Sequence, residues 1–276
     1  MRIALCNEVL AGMPLERQCD YAAALGYDGL EIAPFTLGDA PEKLSAAESA
    51  RIRATIEASG LVVTGLHWLL VKPEGLSLTA PDPALRGRTI AVMNRMVDLC
   101  AELGGAVLVH GSPGQRQIAD GQSHANAWAR LRDGLAQVAQ AAGRAGVSYC
   151  IEPLARQETE LINTVAEAAE LVRAINHPNL HTMIDCSAAS LTEASSIPAL
   201  IDQWLPTGLI AHIQLNDPNR RGPGQGEIKF APILAALKRN GYAGTLAIEP
   251  FDYWPDGPGV AAFGAGYLRG LLEACG

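Results

Sequence analysis

Residues 47–68 read AESARIRATIEASGLVVTGLHW and contain one complete structural repeat. Helix-favouring residues, with apolar side chains at helical spacing, run from Ala47 to Ser59. Gly60 then stands where a left-handed glycine commonly ends a helix. The run LVVTGLHW comes next, and its β-branched and apolar residues are typical of a buried strand. The stretch therefore predicts a helix, a glycine stop and a strand in immediate succession.

The same order recurs in other parts of the chain. Leu15–Leu25 has helical spacing and ends at Gly26 before YDGLEI, and Lys238–Asn240 ends at Gly241 before GTLAIEP. Eight β-rich runs alternate with helix-like segments along the whole sequence. These runs begin near Ile3, Gly29, Leu61, Ala106, Val147, Leu180, Leu209 and Thr245. The alternation predicts a βα repeat and, with it, a parallel sheet.

Eight βα units point to an α/β fold in which the sheet closes on itself. The chain has 276 residues, close to the ~250 of a typical (β/α)8 barrel. A doubly wound open sheet is the alternative, but it would need fewer strands or a second domain. No Gly/Ser-rich linker or shift in composition divides the sequence. We therefore expect one (β/α)8 TIM barrel domain over residues 1–276.

Composition narrows the functional classes. Hydrophobic residues make up 49% of the chain, yet no run approaches the ~20 apolar residues of a membrane span. The opening MRIALCNEV resembles a strand rather than a signal peptide, so we expect a cytoplasmic protein without membrane partners. The net charge of −8 argues against nucleic-acid binding. The six cysteines form no C-x-x-C pair, and most lie in apolar segments where a buried thiol is expected.

Polar residues end the β runs of the second half of the chain. In a (β/α)8 barrel the carboxyl ends of the strands form the active-site rim. Glu152, Asp185, Gln214 and Glu249 take these positions on four successive runs. Each alone could be a helix cap or a surface group, but three converging carboxylates would repel one another without a cation. Oxygen ligands of this kind predict one divalent metal ion, Mn²⁺ or Mg²⁺, with Co²⁺ as a further option.

Three histidines and several aromatic residues lie near the same rim. His67 and His110 end the third and fourth β runs and are candidates to contact a substrate, with a structural role as the alternative. His212 precedes Gln214 by one pleat and faces the same way, as a substrate contact or as a partner of the ligands. For Trp68, Phe251 and Trp254 we expect buried packing, with a wall of the pocket as the alternative.

The stretches IEPLARQET, TMIDC, AHIQLNDPNRRGPGQGEI and GTLAIEPF resemble the xylose isomerase-like barrel superfamily, in particular the D-tagatose 3-epimerase and hydroxypyruvate isomerase relatives. The resemblance covers the second half of the barrel. It implies that the four rim residues bind the metal and that Glu152 and Glu249 are also the acid/base pair. It further implies that Glu158 and Arg220 contact a polyhydroxy carbonyl substrate. The element His212-Ile213-Gln214 is closer to hydroxypyruvate isomerase-like proteins, because ketose 3-epimerases usually have histidine as the third ligand.

The function that this resemblance implies is a metal-dependent isomerase or epimerase of a keto sugar or keto acid. One glutamate would remove the proton beside the carbonyl, giving a metal-stabilised enediolate, and a proton would return to the other face or to the neighbouring carbon. The epimerases' substrate-binding histidine is Ala188 here, so the sequence does not define the sugar.

Several alternatives stay open. A metal-dependent lyase, a dehydratase or a C-glycoside-cleaving enzyme could use the same site, and product mass would distinguish them. An endonuclease IV-like protein would need more histidines and a basic face. A non-catalytic sugar-binding or assembly subunit would bind no metal. The last helix, near Ala262–Leu272, is apolar and is expected to pack on the barrel; an exposed apolar face there would equally serve a homo-oligomer, a dimer or tetramer.

Overall fold

A computed structural model describes residues 1–274 of the chain. Its eight strands are short and nearly all buried. They are Arg2–Cys6 (β1), Gly29–Ile32 (β2), Val62–Leu66 (β3), Val107–His110 (β4), Ser148–Ile151 (β5), Leu180–Asp185 (β6), Ile210–Leu215 (β7) and Thr245–Ile248 (β8). Each strand begins at, or within one residue of, the position that the β-rich runs predicted. All neighbours pair in parallel, and β1 pairs with β8 to close the barrel. The (β/α)8 prediction is confirmed.

Nine α-helices follow or cover the strands over the described residues 1–274. They are Leu15–Ala24 (α1), Ala46–Ala58 (α2), Pro83–Leu103 (α3), His124–Ala145 (α4), Val165–Ile175 (α5), Cys186–Thr192 (α6), Ile197–Trp204 (α7), Phe230–Arg239 (α8) and Gly257–Ala274 (α9). Gly26, Gly60 and Gly241 have φ of +80°, +78° and +69°. These left-handed glycines end α1, α2 and α8 as the sequence predicted. No helix among residues 1–274 is long and apolar enough to cross a membrane.

The principal hydrophobic core joins strand and helix residues and lies between the barrel and its helices. The barrel interior is different. It contains two small apolar clusters. One consists of Val107, Val109, Cys150 and Met183, and the other of Ala4, Cys6 and Ala247. Small side chains on β1 and β8 leave volume inside the barrel that larger side chains can enter. The five cysteines among the described residues are buried free thiols, whereas Cys275 lies outside the described residues.

Three polar residues occupy that interior volume. Glu31 on β2, and His212 and Gln214 on β7, are each at most 1% exposed. Strands β2 and β7 are separated by β8 and β1, so side chains that join them must cross the inside of the barrel. These three residues form a polar cluster inside the barrel, where many barrels have branched apolar side chains. We call this cluster the barrel floor, because it lies beneath the rim formed by the carboxyl ends of the strands.

Candidate metal centre

Glu152, Asp185 and Glu249 come together at the carboxyl end of the barrel. One oxygen from each lies within 4.8 Å of the others, and the residues are only 7%, 5% and 4% exposed. Glu152 directly follows β5 and Glu249 directly follows β8, each before a proline that keeps its backbone extended. Gly111, after β4, supplies the space for Glu152, because a Cβ there would overlap its Oε2. The structure thus unites three of the four predicted ligands.

Burial raises the pKa of all three carboxyl groups, and neighbouring carboxylates raise those of Glu152 and Glu249 further. Burial raises the pKa of Glu152 well above its ordinary value, and the charge of Asp185 raises it further. Burial, followed by Glu152 and Asp185, does the same to the pKa of Glu249. Burial raises the pKa of Asp185 to about 6. The cluster is therefore poor at holding three negative charges by itself, which is what a site built for a cation shows.

Gln214, the fourth predicted ligand, lies next to the carboxylates and is completely buried. In the β6–β7 register it pairs with Asp185. Its Nε2 donates to Glu31 Oε1 at 3.0 Å, whereas its Oε1 is buried without a hydrogen-bond partner among the described residues. Because an ionised carboxylate can only accept, Glu31 fixes which end of the amide it binds. The carbonyl oxygen is thereby left for another electropositive partner.

Glu31 itself is held as a carboxylate by its neighbours. Burial opposes ionisation, but His212, His67 and the Gln214 hydrogen bond together lower the pKa of Glu31 below its ordinary value. His212 Nε2 lies 2.8 Å from Glu31 Oε2, although this contact lacks hydrogen-bond geometry. His67 Nδ1 lies 3.8 Å from Glu31 Oε1. The negative charge of Glu31 at the barrel floor is thus stabilised by contacts with two imidazole rings and one amide.

Asn216 connects the carboxylates above this floor. Its Nδ2 donates to Asp185 Oδ2 at 2.6 Å and to the backbone carbonyl of Glu249 at 3.2 Å. The other oxygen of Asp185 accepts from the backbone N–H of Ala188 at 2.7 Å and caps α6. Asp185 is therefore both a helix cap and a member of the cluster, two roles that the sequence had offered as alternatives.

Glu249 is positioned by residues that follow β3. Trp68 Nε1 donates to Glu249 Oε1 at 3.0 Å, and His67 Nε2 lies 3.9 Å from the same oxygen. His67 Nε2 is also 2.9 Å from Glu8 Oε2. Burial lowers the pKa of His67, but Glu8 and Glu31 outweigh it, so that the net pKa is raised. Cys6, Glu8, His67 and Glu249 form a second close group of potential ligands, which shares Glu249 with the carboxylate cluster.

Arg116 brings a positive charge to the other side of the cluster. No lysine or arginine ends the strands that carry the cluster, but Arg116 lies in the loop after β4 and is completely buried. Its Nη2 donates to the backbone carbonyl of Glu152 at 2.7 Å, and its charge opposes the rise in the Glu152 pKa. Burial lowers the pKa of Arg116 itself to about 10. The carboxylates are thus only partly compensated by the chain's own cations.

Two adjoining depressions open above the carboxylates. One, of about 60 Å³, is lined by His67 and Glu249, and the other, of about 150 Å³, by Asp185. Glu152, Glu158 and Arg220 line both. Both depressions are lined by polar and apolar side chains, as expected for a small hydroxylated ligand. The predicted contacts Glu158 and Arg220 therefore lie at the same mouth as the predicted acid/base pair.

Three residues that line this mouth have strained backbone conformations. Trp68, Ser112 and Arg220 have φ of 51°, 34° and 69°, in the left-handed region that non-glycine residues seldom adopt. All three line the smaller depression. Such residues cost on the order of 1–3 kcal/mol each and persist where the surroundings require the conformation, often at functional sites. The guanidinium of Arg220 lies 4.9 Å from the Phe251 ring centre, which fixes the side chain over the mouth.

His110 and His212 lie below the mouth rather than in it. His110 Nδ1 contacts the Tyr149 hydroxyl at 2.8 Å, and burial lowers the pKa of His110 to about 3. His212 faces Glu31 inside the barrel. Neither imidazole lines the depressions, so the geometry gives no support to their predicted contact with a substrate. Only His67 among the three is placed at the mouth.

The structure also gives different positions to the three aromatic residues for which packing or a pocket wall was predicted. Trp68 and Phe251 are half-buried and line the smaller depression, which is the wall role. For Trp254 the expectation of buried packing is wrong, because its side chain is 58% exposed and lies 4.9 Å from the Arg221 guanidinium. Its backbone carbonyl accepts from Gln225 Nε2 at 2.9 Å.

Sequence reasoning missed Glu8, Glu31 and Arg116. Glu31 is an acid between two apolar residues of a buried strand, and Glu8 lies two residues after the apolar run of β1. Both signals were present in the first half of the chain, where the resemblance was only general. Arg116 gave no such signal, because a loop position does not tell where a long side chain will reach.

The donor set fits a hard divalent cation. Three mutually close buried carboxylates with raised pKa values need a positive partner, and the carbonyl oxygen of Gln214, which has no hydrogen-bond partner among the described residues, is available as a further oxygen donor. Oxygen-rich sets of this kind suit Mg²⁺ or Mn²⁺ better than thiophilic metals. The cluster therefore has the composition of a metal centre.

Comparison with known proteins matches the chain to one family and to epimerases. Residues 19–271 match the family described as xylose isomerase-like TIM barrel. The D-psicose 3-epimerase of Ruminiclostridium cellulolyticum is 29% identical over 234 residues, covering 83% of this chain and 75% of the relative. The 3-dehydro-D-guloside 4-epimerase of Escherichia coli is 24% identical over 260 residues, covering 90% of this chain and 92% of the relative. These relatives are epimerases, which are isomerase-class enzymes.

Solved structures agree in fold. D-psicose 3-epimerase with D-tagatose, from Clostridium cellulolyticum, superposes with a TM-score of 0.81 at 23% identity over 99% of both chains. The 3-keto-D-glucoside 4-epimerase of E. coli does so with a TM-score of 0.83 at 22% identity, over 98% of this chain and 99% of the other. The matched range covers nearly the whole barrel and includes all four residues of the predicted metal centre. The chain therefore belongs to the xylose isomerase-like TIM barrel family.

Proposed function

We propose that this protein is a divalent-metal-dependent epimerase or isomerase of a keto sugar or related polyhydroxy carbonyl compound. The observation that carries the proposal is the close approach of buried Glu152, Asp185 and Glu249 beneath an open mouth. Two glutamates with raised pKa values, from different strands, are suited to remove and return a proton. The named activities of the relatives, epimerisation of D-psicose and of 3-dehydro-D-guloside, are reactions of this type.

Glu152, Asp185, Gln214 and Glu249 would hold the metal, which we take to be Mn²⁺ or Mg²⁺, with Co²⁺ as an alternative. When bound, the ion would acidify the C–H beside the carbonyl by drawing electron density from the substrate oxygens. Its positive charge would also lower the raised pKa values of the carboxylates, so that a glutamate oxygen is free to act as base. The chain's own residues then decide which proton moves.

Glu152 and Glu249 are the proposed acid/base pair. Trp68 Nε1 holds Oε1 of Glu249 at 3.0 Å, which limits the rotation of that carboxylate. Gly111 leaves the space that Oε2 of Glu152 occupies. Each carboxylate has a second oxygen, so metal binding and proton transfer are compatible within one side chain. One glutamate removes the proton beside the carbonyl, and the other returns a proton to the opposite face.

Glu158 and Arg220 are the proposed contacts to substrate oxygens. Glu158 Oε2 accepts from the backbone N–H of Ala155 at 3.1 Å, which fixes the side chain over the mouth. Arg220 is held against Phe251. One acceptor and one multiple donor on the same side of the mouth suit the alternating donors and acceptors of a sugar. A cytoplasmic location and a homo-oligomeric assembly stay predictions.

The test begins with metal analysis of the purified protein. Exchange of the substrate's α-proton in D₂O would then be followed for ketoses, keto acids and 3-keto glycosides. Glu152→Gln and Glu249→Gln should each lose at least about 1000-fold in exchange rate, within the range that proton-transfer groups contribute. Glu160→Gln is the matched control, because Glu160 is exposed and lines a cleft away from the mouth.

Product mass separates the competing reactions. A conserved mass with α-proton exchange supports epimerisation or isomerisation, whereas loss of water or of an aglycone would assign a lyase, dehydratase or glycoside-cleaving reaction. Sugar binding without exchange, in protein that contains no metal, would assign a non-catalytic role. Full exchange in both glutamate variants would refute the proposed acid/base pair.

A further inference from the structure

A third depression lies at the barrel mouth and shares Trp68 with the smaller depression above the carboxylates. It has a volume of about 240 Å³ and is open to solvent. Its wall is shared in part with the smaller depression above the carboxylates. The lining residues are Glu8, Phe35, Trp68, Arg220, Phe251 and Tyr253. The depression is therefore continuous with the proposed catalytic site, but extends beyond the residues that the proposed reaction uses.

Aromatic side chains make most of this wall. Phe35 meets Trp68 edge-on, with ring centres 6.4 Å apart, and Trp68 lies 5.9 Å from Phe251. All three rings and Tyr253 are half-buried rather than enclosed in the core. Grouped, partly exposed aromatic rings beside a cavity are typical of a binding surface rather than of packing. Their faces suit the C–H face of a flat ring.

A polar group stands at the inner end of the same wall. Glu8 is 8% exposed and lines the depression. Its Oε2 is bonded to His67 at 2.9 Å, but its Oε1 is buried with no partner among the described residues. Oε1 has almost no accessible surface, so a ligand in the depression would meet the remaining, exposed part of the Glu8 side chain. At the outer side, Arg220 offers donors. The ligand that fits presents an apolar ring face and hydroxyl groups together, which is the chemistry of a saccharide ring.

We propose that this depression is a subsite for a second sugar ring, so that the substrate is a keto-sugar residue in a disaccharide or larger glycoside rather than a free ketose. The inference rests on the proposed function, since the first ring must place its carbonyl over the carboxylates. A single ring over Glu152 and Glu249 leaves Phe35 and Tyr253 without a role. A glycosidically linked second ring would cover both and place its hydroxyl oxygens near the donors of Arg220.

The test compares substrates that differ only in the second ring. Methyl 3-keto-β-glucoside and 3-ketocellobiose would be assayed for α-proton exchange in D₂O by the metal-loaded protein. We expect kcat/KM to be at least ten-fold higher for the two-ring substrate. Phe35→Ala and Tyr253→Ala should reduce that ratio to within about three-fold of unity. Phe263→Ala is the control, because Phe263 is a 47% exposed aromatic residue of α9 that does not line the depression.

Binding decides the subsite independently of catalysis. Cellobiose and methyl β-glucoside, which cannot react, would be titrated calorimetrically into the same proteins. Tighter binding of cellobiose that is lost in Phe35→Ala supports the subsite even if no substrate exchanges protons, an outcome that would refute only the proposed function. Equal kcat/KM values and equal affinities for one and two rings would overturn the subsite. Loss of a second equivalent of metal in Glu8→Gln would also overturn it, because Oε1 would then serve a cation.

Discussion

Glu31→Gln tests whether a carboxylate at the barrel floor orients the metal ligand above it. In the native protein the acceptor-only carboxylate of Glu31 binds Nε2 of Gln214 at 3.0 Å and leaves Oε1 unpartnered. A glutamine at position 31 can donate as well as accept, so the amide of Gln214 loses its preferred orientation. We expect weaker metal binding, with little change in the fold.

The magnitude follows from the bond that is lost. A hydrogen bond to a charged group contributes about 1.5–3 kcal/mol. At about 1.4 kcal/mol per factor of ten, the Kd for Mn²⁺ should rise about 10- to 150-fold. Residues that orient metal ligands typically have effects of about this size. Calorimetric titration of chelator-treated protein with Mn²⁺ measures the change, and thermal unfolding of the metal-free proteins checks the fold.

A double-mutant cycle separates orientation from simple charge attraction. Removing a negative charge near the metal weakens binding whether or not Gln214 is present. If Glu31 acts through Gln214, then Glu31→Gln should have little further effect in a Gln214→Ala background. The same 10- to 150-fold loss in that background would refute the reasoning. The exchanged pair Glu31→Gln with Gln214→Glu should restore affinity, because the amide at position 31 can donate to one carboxylate oxygen and leave the other for the metal.

Two further predictions concern the carboxylate cluster. Gly111→Ala should reduce α-proton exchange about 100-fold, because its methyl group would displace Oε2 of Glu152; Gly114→Ala, whose Cβ would have no neighbour within 4 Å, is the control, and equal activity of the two variants would contradict the prediction. Metal-free protein should lose stability relative to Mn²⁺-loaded protein as pH rises from about 4 to 7. Burial raises the pKa of Asp185 to about 6 in the fold, against about 3.9 in an unfolded chain, so the folded state binds more protons in this window and its stability falls by on the order of 3 kcal/mol. Urea unfolding at pH 4.5 and 7 with chelator or Mn²⁺ measures the difference, and a stability gap that does not widen with pH would contradict the prediction.

The strand-end residues of the second half could be predicted because a parallel barrel has simple geometry. Once Asp185 and Glu249 are assigned to the ends of parallel strands, the fold brings them to one rim. The β-runs were found within one residue because their apolar character and the glycine stops before several of them are local signals. The family resemblance then added roles that local patterns do not contain.

Contacts across the barrel could not be predicted in the same way. Glu31 and Gln214 are 183 residues apart, and their hydrogen bond depends on the small side chains of Ala4 and Ala247 that leave room inside the barrel. The placement of His110 beneath the mouth depends likewise on packing against Tyr149. Such features depend on side-chain direction and volume in three dimensions.

The amino-acid sequence alone therefore determined the repeat, the barrel and the carboxylates at its rim. The reason is that strand period, helix stops and strand ends each depend on residues that are close together in the sequence. Only the tertiary structure decided how those carboxylates are supported. It placed Glu31 beneath Gln214, Arg116 beside Glu152, and an aromatic depression beside Trp68. The physical reason is that orientation, burial and charge balance are properties of groups that meet in space, and the residues that set them are distant in the sequence.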